Sequence, residues 1–271
     1  MGGLRRDAER APAAHIAAAA LAAIAVASFP VNGVLALFGA EGENARRFAA
    51  FVFRALMCAA AVRAIFAYGF GGSFRVPEKL FASLPFLAVV LANFPFFALA
   101  SGEARVVAGA GEIVLYFLQT LAVTAFEELV FRGVVFPLCL IRMRGKKYAV
   151  FLAAALSGAV FGGAHLVNLF GGGSAGAVFL QVGYSFLLGG MFAAALVLSR
   201  SIAVPVALHF LFNAGGLLVQ ELGAGTVWTA PAVCCMAAVS VLAGVYTLVA
   251  ALRMKESDAA FLAPPLFSPP G

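Results

Sequence analysis

Charged side chains are scarce in this chain. Of 271 residues only 11% are Asp, Glu, Lys or Arg and 63% are hydrophobic, where an ordinary soluble domain has roughly 25% charged residues. With a mean hydropathy of +1.03, that deficit excludes a water-soluble fold and requires an integral membrane protein. Short alternating segments are missing as well: the apolar runs are too long and uniform for the ~10-residue strands of a β-barrel. The four cysteines, Cys58, Cys139, Cys234 and Cys235, lie inside apolar runs without metal-ligand spacing and read as buried small hydrophobes. No His-Glu-x-x-His zinc signature occurs, and no Lys-Ser/Thr follows Gly171-Gly172-Gly173, so neither a zincin helix nor a phosphate loop is present. Basic residues give a net charge of +6, but they sit in short connections between apolar runs, as topology signals rather than a nucleic-acid surface.

What is there is a series of apolar stretches of spanning length, ~20 residues each. The first runs from about 12 to 29 and ends in Ala25-Val26-Ala27, a pattern shared with signal-peptide cleavage sites. It is read as the first of eight spans. The others run at about 48–71, 80–101, 111–140, 148–170, 176–199, 202–221 and 227–252. The expected fold is therefore all-α, a polytopic helical bundle over 13–254 behind a polar basic segment, 1–12. The tail 255–271, with Pro264, Pro265, Pro269 and Pro270, is expected to be disordered. Twelve Lys and Arg fall on the side of the N-terminus (Arg5, Arg6, Arg10, Arg75, Lys79, Arg142, Arg144, Lys146, Lys147, Arg200, Arg253, Lys255) and three on the other (Arg46, Arg47, Arg105). By the positive-inside rule both termini are expected to be cytoplasmic.

The polar residues left inside spans are few. Charge at membrane depth costs ~2.5–3.5 kcal/mol per residue on insertion scales, so these positions are read as functional by default. The fourth span carries Glu127, Glu128 and Arg132; Glu128 and Arg132, four apart, form an ion pair on one helix face, and Glu127 is turned about 100° away. The fifth carries Phe161-Gly162-Gly163-Ala164-His165, and the seventh carries His209 and Asn213, four apart behind Pro205. A carboxylate facing a histidine can hold and deprotonate water. A second histidine with an amide can donate to a developing oxyanion. The same Glu and His groups could instead hold a divalent metal. Counted at ~1.5 Å per residue, His165 lies ~25 Å along a span starting at Tyr148 and His209 only ~10 Å along one starting at Ile202. Upright helices would leave them at different depths, so tilt or an interfacial start to the fifth helix has to close that gap.

Glu-Glu-x-x-x-Arg, Phe-x-x-x-His and His-x-x-x-Asn, in this order on three apolar helices, resemble the motifs of the CPBP intramembrane proteases, which include the type II CAAX prenyl endopeptidases and the bacterial Abi-type proteins. The resemblance spans about 127–213, within a core at about 111–221. It implies an intramembrane endopeptidase in which Glu127 activates water, His165 helps to hold it, and His209 with Asn213 stabilises the oxyanion. Glu128 and Arg132 would be the supporting carboxylate and its partner. It leaves two mechanisms open: a metal such as zinc on Glu127, His165 and His209, or a metal-free glutamate. The implied partners are the bilayer and a peptide or protein substrate, lipidated or not, with no nucleic acid. The compact chain fits a prokaryotic plasma membrane. Two other classes remain: a non-catalytic scaffold or immunity-type protein of the same fold, and a proton-coupled transporter, although no internal repeat or paired broken helices mark one.

Overall fold

A computed structural model describes residues 3–37 and 42–262. After α1 (Gly3–Arg10), α2 (Pro12–Ala27) and α3 (Val31–Leu37), the long α4 (Glu43–Tyr68) crosses the molecule. Next come α5 (Leu84–Ala92), α6 (Phe96–Ser101) and the short strand β1 (Ala104–Val106). The central pair α7 (Ala110–Val130) and α8 (Phe136–Met143) is followed by α9 (Ala149–Ala164), α10 (Ala175–Ser199) and α11 (Ala203–Gly216). The chain closes with α12 (Leu218–Leu222), strand β2 (Gly223–Gly225), α13 (Ala230–Arg253) and α14 (Glu256–Ala259). β1 and β2 pair antiparallel, Arg105 opposite Ala224.

This is the expected all-α polytopic bundle. Among the described residues five helical stretches are long and apolar enough to cross a membrane: 43–68, 110–143, 149–169, 175–199 and 230–253. Large apolar side chains such as Leu56, Phe66, Leu180, Val241 and Leu242 are exposed along them, an outer surface that suits lipid and not water. Three of the eight expected stretches take another form. The first is one arm of a pair, α1 and α2, bent by 110°. The stretch 80–101 breaks between α5 and α6, because Pro95 has no N–H for a helical bond and disfavours helix at Phe94. The stretch 202–221 is likewise interrupted after Gly216.

Two further expectations need correction. Residues 256–262 are ordered: α14 and a 3-10 turn press Phe261 and Leu262 into the core, with Arg75 and Arg200 over the Phe261 ring at 5.5 and 5.3 Å. Gly72 admits this docking, since a Cβ there would meet the Phe261 carbonyl. A proline-rich composition further on hid a short segment with enough apolar area to fold back; residues 263–271 lie outside those described. Nor are all four cysteines buried: Cys139 is, Cys58 and Cys235 are half-buried, and Cys234 is exposed on α13. In a lipid-facing helix an apolar run does not mean a buried one.

Among the described residues the core has two large apolar clusters and a small third one of Ala98, Ala104 and Val219. One gathers α2, α4, α7, α8, α9 and one face of α10 around Ile65, Phe136 and Leu196; another gathers α5, the other face of α10, α11 and α13 around Phe86, Phe192 and Leu208. The polar intramembrane residues lie between these two.

Candidate functional site

The helix through Glu127 and Glu128 does not run on regularly. Residues Phe131–Val135 form a π-turn between α7 and α8. Pro137 explains it: without an N–H it cannot continue the α ladder to Gly133, and a widened turn absorbs the loss. Such π-turns recur at functional sites. Gly133 lies in this turn, where a Cβ would press on the buried Ile65 side chain of α4. The turn also carries Arg132, whose Nε sits 3.1 Å from Glu128 Oε2, with both side chains 0% exposed. Each charge alone would cost several kcal/mol at that depth, so neither is tolerable without the other. Glu127, one residue earlier, is 22% exposed and opens onto a cavity.

α9 and α10 meet on glycine. A Cβ on Gly158 would fall 2.8 Å from the Phe186 carbonyl, and one on Gly162 2.7 Å from that of Val182. This spacing, small-x-x-x-small, lets apolar helices approach backbone to backbone. The close approach seats Phe161 against the Arg132 guanidinium, 4.5 Å from ring centroid to Cζ. Just beyond, α9 gives way to a 3-10 turn beginning at His165. His165 Nδ1 lies 3.0 Å from the Phe161 carbonyl. Donation of Nδ1–H to that oxygen leaves Nε2 as the lone-pair nitrogen facing the cavity.

α11 supplies the remaining groups. His209 is held between the two carboxylates, with Nδ1 2.8 Å from Glu128 Oε1 and Nε2 3.6 Å from Glu127 Oε2. The first is a charge-assisted hydrogen bond; the second is too long for one. Glu128 therefore serves two partners, Arg132 and His209, and fixes the imidazole so that Nε2 addresses Glu127. Asn213 lines the same cavity one turn further on. The end of α11 is pinned from two sides. Tyr116 Oη donates to the Ala214 carbonyl at 2.8 Å, and Asn93, at the break before Pro95, donates to the Phe212 carbonyl at 2.8 Å. Gly215 and Gly216 make room for Phe94 and Asn93 there.

All four predicted site residues, Glu127, His165, His209 and Asn213, line one cavity of about 1100 Å³. The two histidines flank Phe161, their ring centroids 5.1 and 5.7 Å from its own. The depth mismatch expected from counting along the helices is thus absent. The combined helix 110–143 is 34 residues, or about 51 Å, well beyond a hydrocarbon core of ~30 Å. A helix of that length has to tilt or to extend past the core, and the packing of the helices sets both histidines against Phe161.

The metal-ligand set Glu127, His165 and His209 is not supported. Among the described residues no group of three or more His, Cys, Asp or Glu is arranged to hold an ion. The sequence reading also missed contributors. Tyr116 lies eleven residues before Glu127, three helical turns on the same face, and could have been found by periodicity. Arg54, given no role, lines the cavity and donates to the Val26 and Ala27 carbonyls at the end of α2. Phe192 stacks on His209 with centroids 5.0 Å apart, and nothing in the sequence distinguishes it from other phenylalanines.

Comparison with known proteins adds one finding. Residues 109–215 match the family described as type II CAAX prenyl endopeptidase Rce1-like. That segment is α7 to α11, the part of the chain that carries every predicted site residue, and the match supports an intramembrane endopeptidase in general terms. No curated protein and no solved structure matches.

Proposed function

We propose that the protein hydrolyses a peptide bond of a membrane-associated substrate, using water activated by Glu127. The observation that carries this reading is the division of labour between adjacent carboxylates. Glu128 is sealed and bonded to Arg132 and His209, while Glu127 is exposed to the cavity 3.6 Å from His209 Nε2. A water in that cavity, accepting from no fixed donor, can give one proton to Glu127 and another hydrogen bond to His165 Nε2. Its oxygen attacks the scissile carbonyl. With Nδ1–H tied to Glu128, a protonated His209 offers Nε2–H to the oxyanion, and the Asn213 amide is the second donor. Glu127 then returns its proton to the departing amine, which breaks the C–N bond; the second water proton passes from the new carboxyl group to His165 Nε2, which leaves a carboxylate on the other fragment. Burial of Glu128 and Arg132 keeps their charges fixed throughout, so little reorganisation accompanies the step.

The cavity is at the upper end of ordinary ligand sites, ~300–1,000 Å³, large enough for an extended peptide with its side chains. The cluster of Arg142, Arg144, Lys146 and Lys147 supports a cytoplasmic placing of the turn between α8 and α9, in a prokaryotic plasma membrane. The test is a set of variants at matched membrane abundance. Glu127→Gln, His165→Ala, His209→Ala and Asn213→Ala should each lose substrate turnover. A scaffold would keep its cellular phenotype in all four, and a transporter would lose proton-coupled uptake in Glu127→Gln without any change in peptide products.

A further inference from the structure

The geometry points to Phe192 as a positioning residue: its ring, with that of Phe161, clamps the Arg132 guanidinium and backs the His209 imidazole in the orientation the reaction needs. This rests on the glutamate-protease reading for its catalytic consequence but not for its geometry. Phe192 comes from α10, a helix that carries none of the motif residues, and is 0% exposed. Its ring lies nearly parallel to His209, interplanar angle 28°, and 5.3 Å from Arg132 Cζ. Phe161 stands at 86° to His209 and 4.5 Å from the same Cζ.

Two facts argue that these rings do more than fill space. Arg132 Nε, Nη1 and Nη2 are all buried without a hydrogen bond of good geometry among the described residues. Beyond the ion pair at its Nε edge, the electron-rich ring faces are what is left to offset that charge. Among the described residues His209 has a single side-chain anchor of hydrogen-bond length, at Nδ1. One such bond allows the imidazole to swing about it. A ring stacked on one face and another edge-on at the side remove that freedom and hold Nε2 toward Glu127. Gly189 keeps the space open, since a Cβ there would sit 3.3 Å from Arg132 Nη2 and 3.4 Å from Phe161 Cδ1.

The test uses the full chain in nanodiscs with 15N-labelled histidine. There are three histidines, so His15→Gln and His165→Gln variants assign the His209 signals. In the wild type the His209 nitrogens should give one fixed tautomeric pattern. Phe192→Leu, which keeps apolar bulk but no ring, should shift both nitrogens toward exchange-averaged values, and fluorinated phenylalanines at 192 should do so in proportion to fluorine number. On any peptide the wild type cleaves, Phe192→Leu should lower kcat by about 10–100-fold and leave KM within about twofold, while the fluorinated ring retains KM. An unchanged His209 spectrum in both Phe192→Leu and the fluorinated series would overturn the clamp, whatever the activity. A changed spectrum with no protease activity in the wild type would uphold the clamp and count against the protease reading alone.

Discussion

Replacing both members of the buried ion pair should harm the protein less than replacing Glu128 alone. In Glu128→Leu the Arg132 cation stays buried between Phe161 and Phe192 without a counter-ion, at a cost of about 3–5 kcal/mol. The same change strips His209 Nδ1 of its acceptor, adding about 1–3 kcal/mol. Arg132→Met leaves Glu128 with its histidine bond and should cost about 3 kcal/mol, at the low end for a broken buried pair. In Glu128→Leu/Arg132→Met no charge is orphaned; the remaining loss is the histidine bond, about 1–3 kcal/mol. The double variant should therefore exceed Glu128→Leu in stability by about 3–5 kcal/mol. Reversible unfolding in mixed detergent micelles, completed as a double-mutant cycle, reads this difference. If the two single losses simply add, the charges are not compensating each other and the argument fails.

The remaining predictions concern other parts of the molecule. Glu127→Gln should leave unfolding unchanged within about 0.5 kcal/mol, as expected for a substitution outside the packed core, while abolishing turnover. Gly133→Ala should lose about 1–3 kcal/mol through its contact with Ile65, and Ile65→Val should restore part of it in the double variant. Phe261→Ala should cost about 3–5 kcal/mol and make the C-terminal segment accessible to protease, which limited proteolysis and peptide mapping would detect. Single cysteines near Lys146 and near Arg105 should label from opposite faces of intact spheroplasts, the first only after permeabilisation; labelling of both from outside would refute the orientation.

How much of this was legible in the sequence depended on range. The Glu128–Arg132 pair could be read because four residues on a helix are neighbours whatever the tertiary structure. Glu127, His165, His209 and Asn213 could be nominated because ionisable groups at membrane depth are rare and their motifs ordered. That His209 would take Glu128 as its partner could not, since 81 positions separate them and packing alone brings them together. The break at Pro95 had a signal in the proline itself. The π-turn had one too, in Pro137, but apolar continuity masked both. Phe192 had none: it is one of 27 phenylalanines, made distinct only by what α10 leans against.

The central claim is that Glu127 activates water to cut a peptide bond. The most direct measurement compares membranes holding the wild type with membranes holding Glu127→Gln at equal abundance, incubated in 18O-labelled water, by mass spectrometry of new peptide termini. The account predicts termini that carry one 18O in the new carboxylate and occur with the wild type alone. The same labelled termini from Glu127→Gln membranes, or none from either under conditions where the protein is needed, would contradict it.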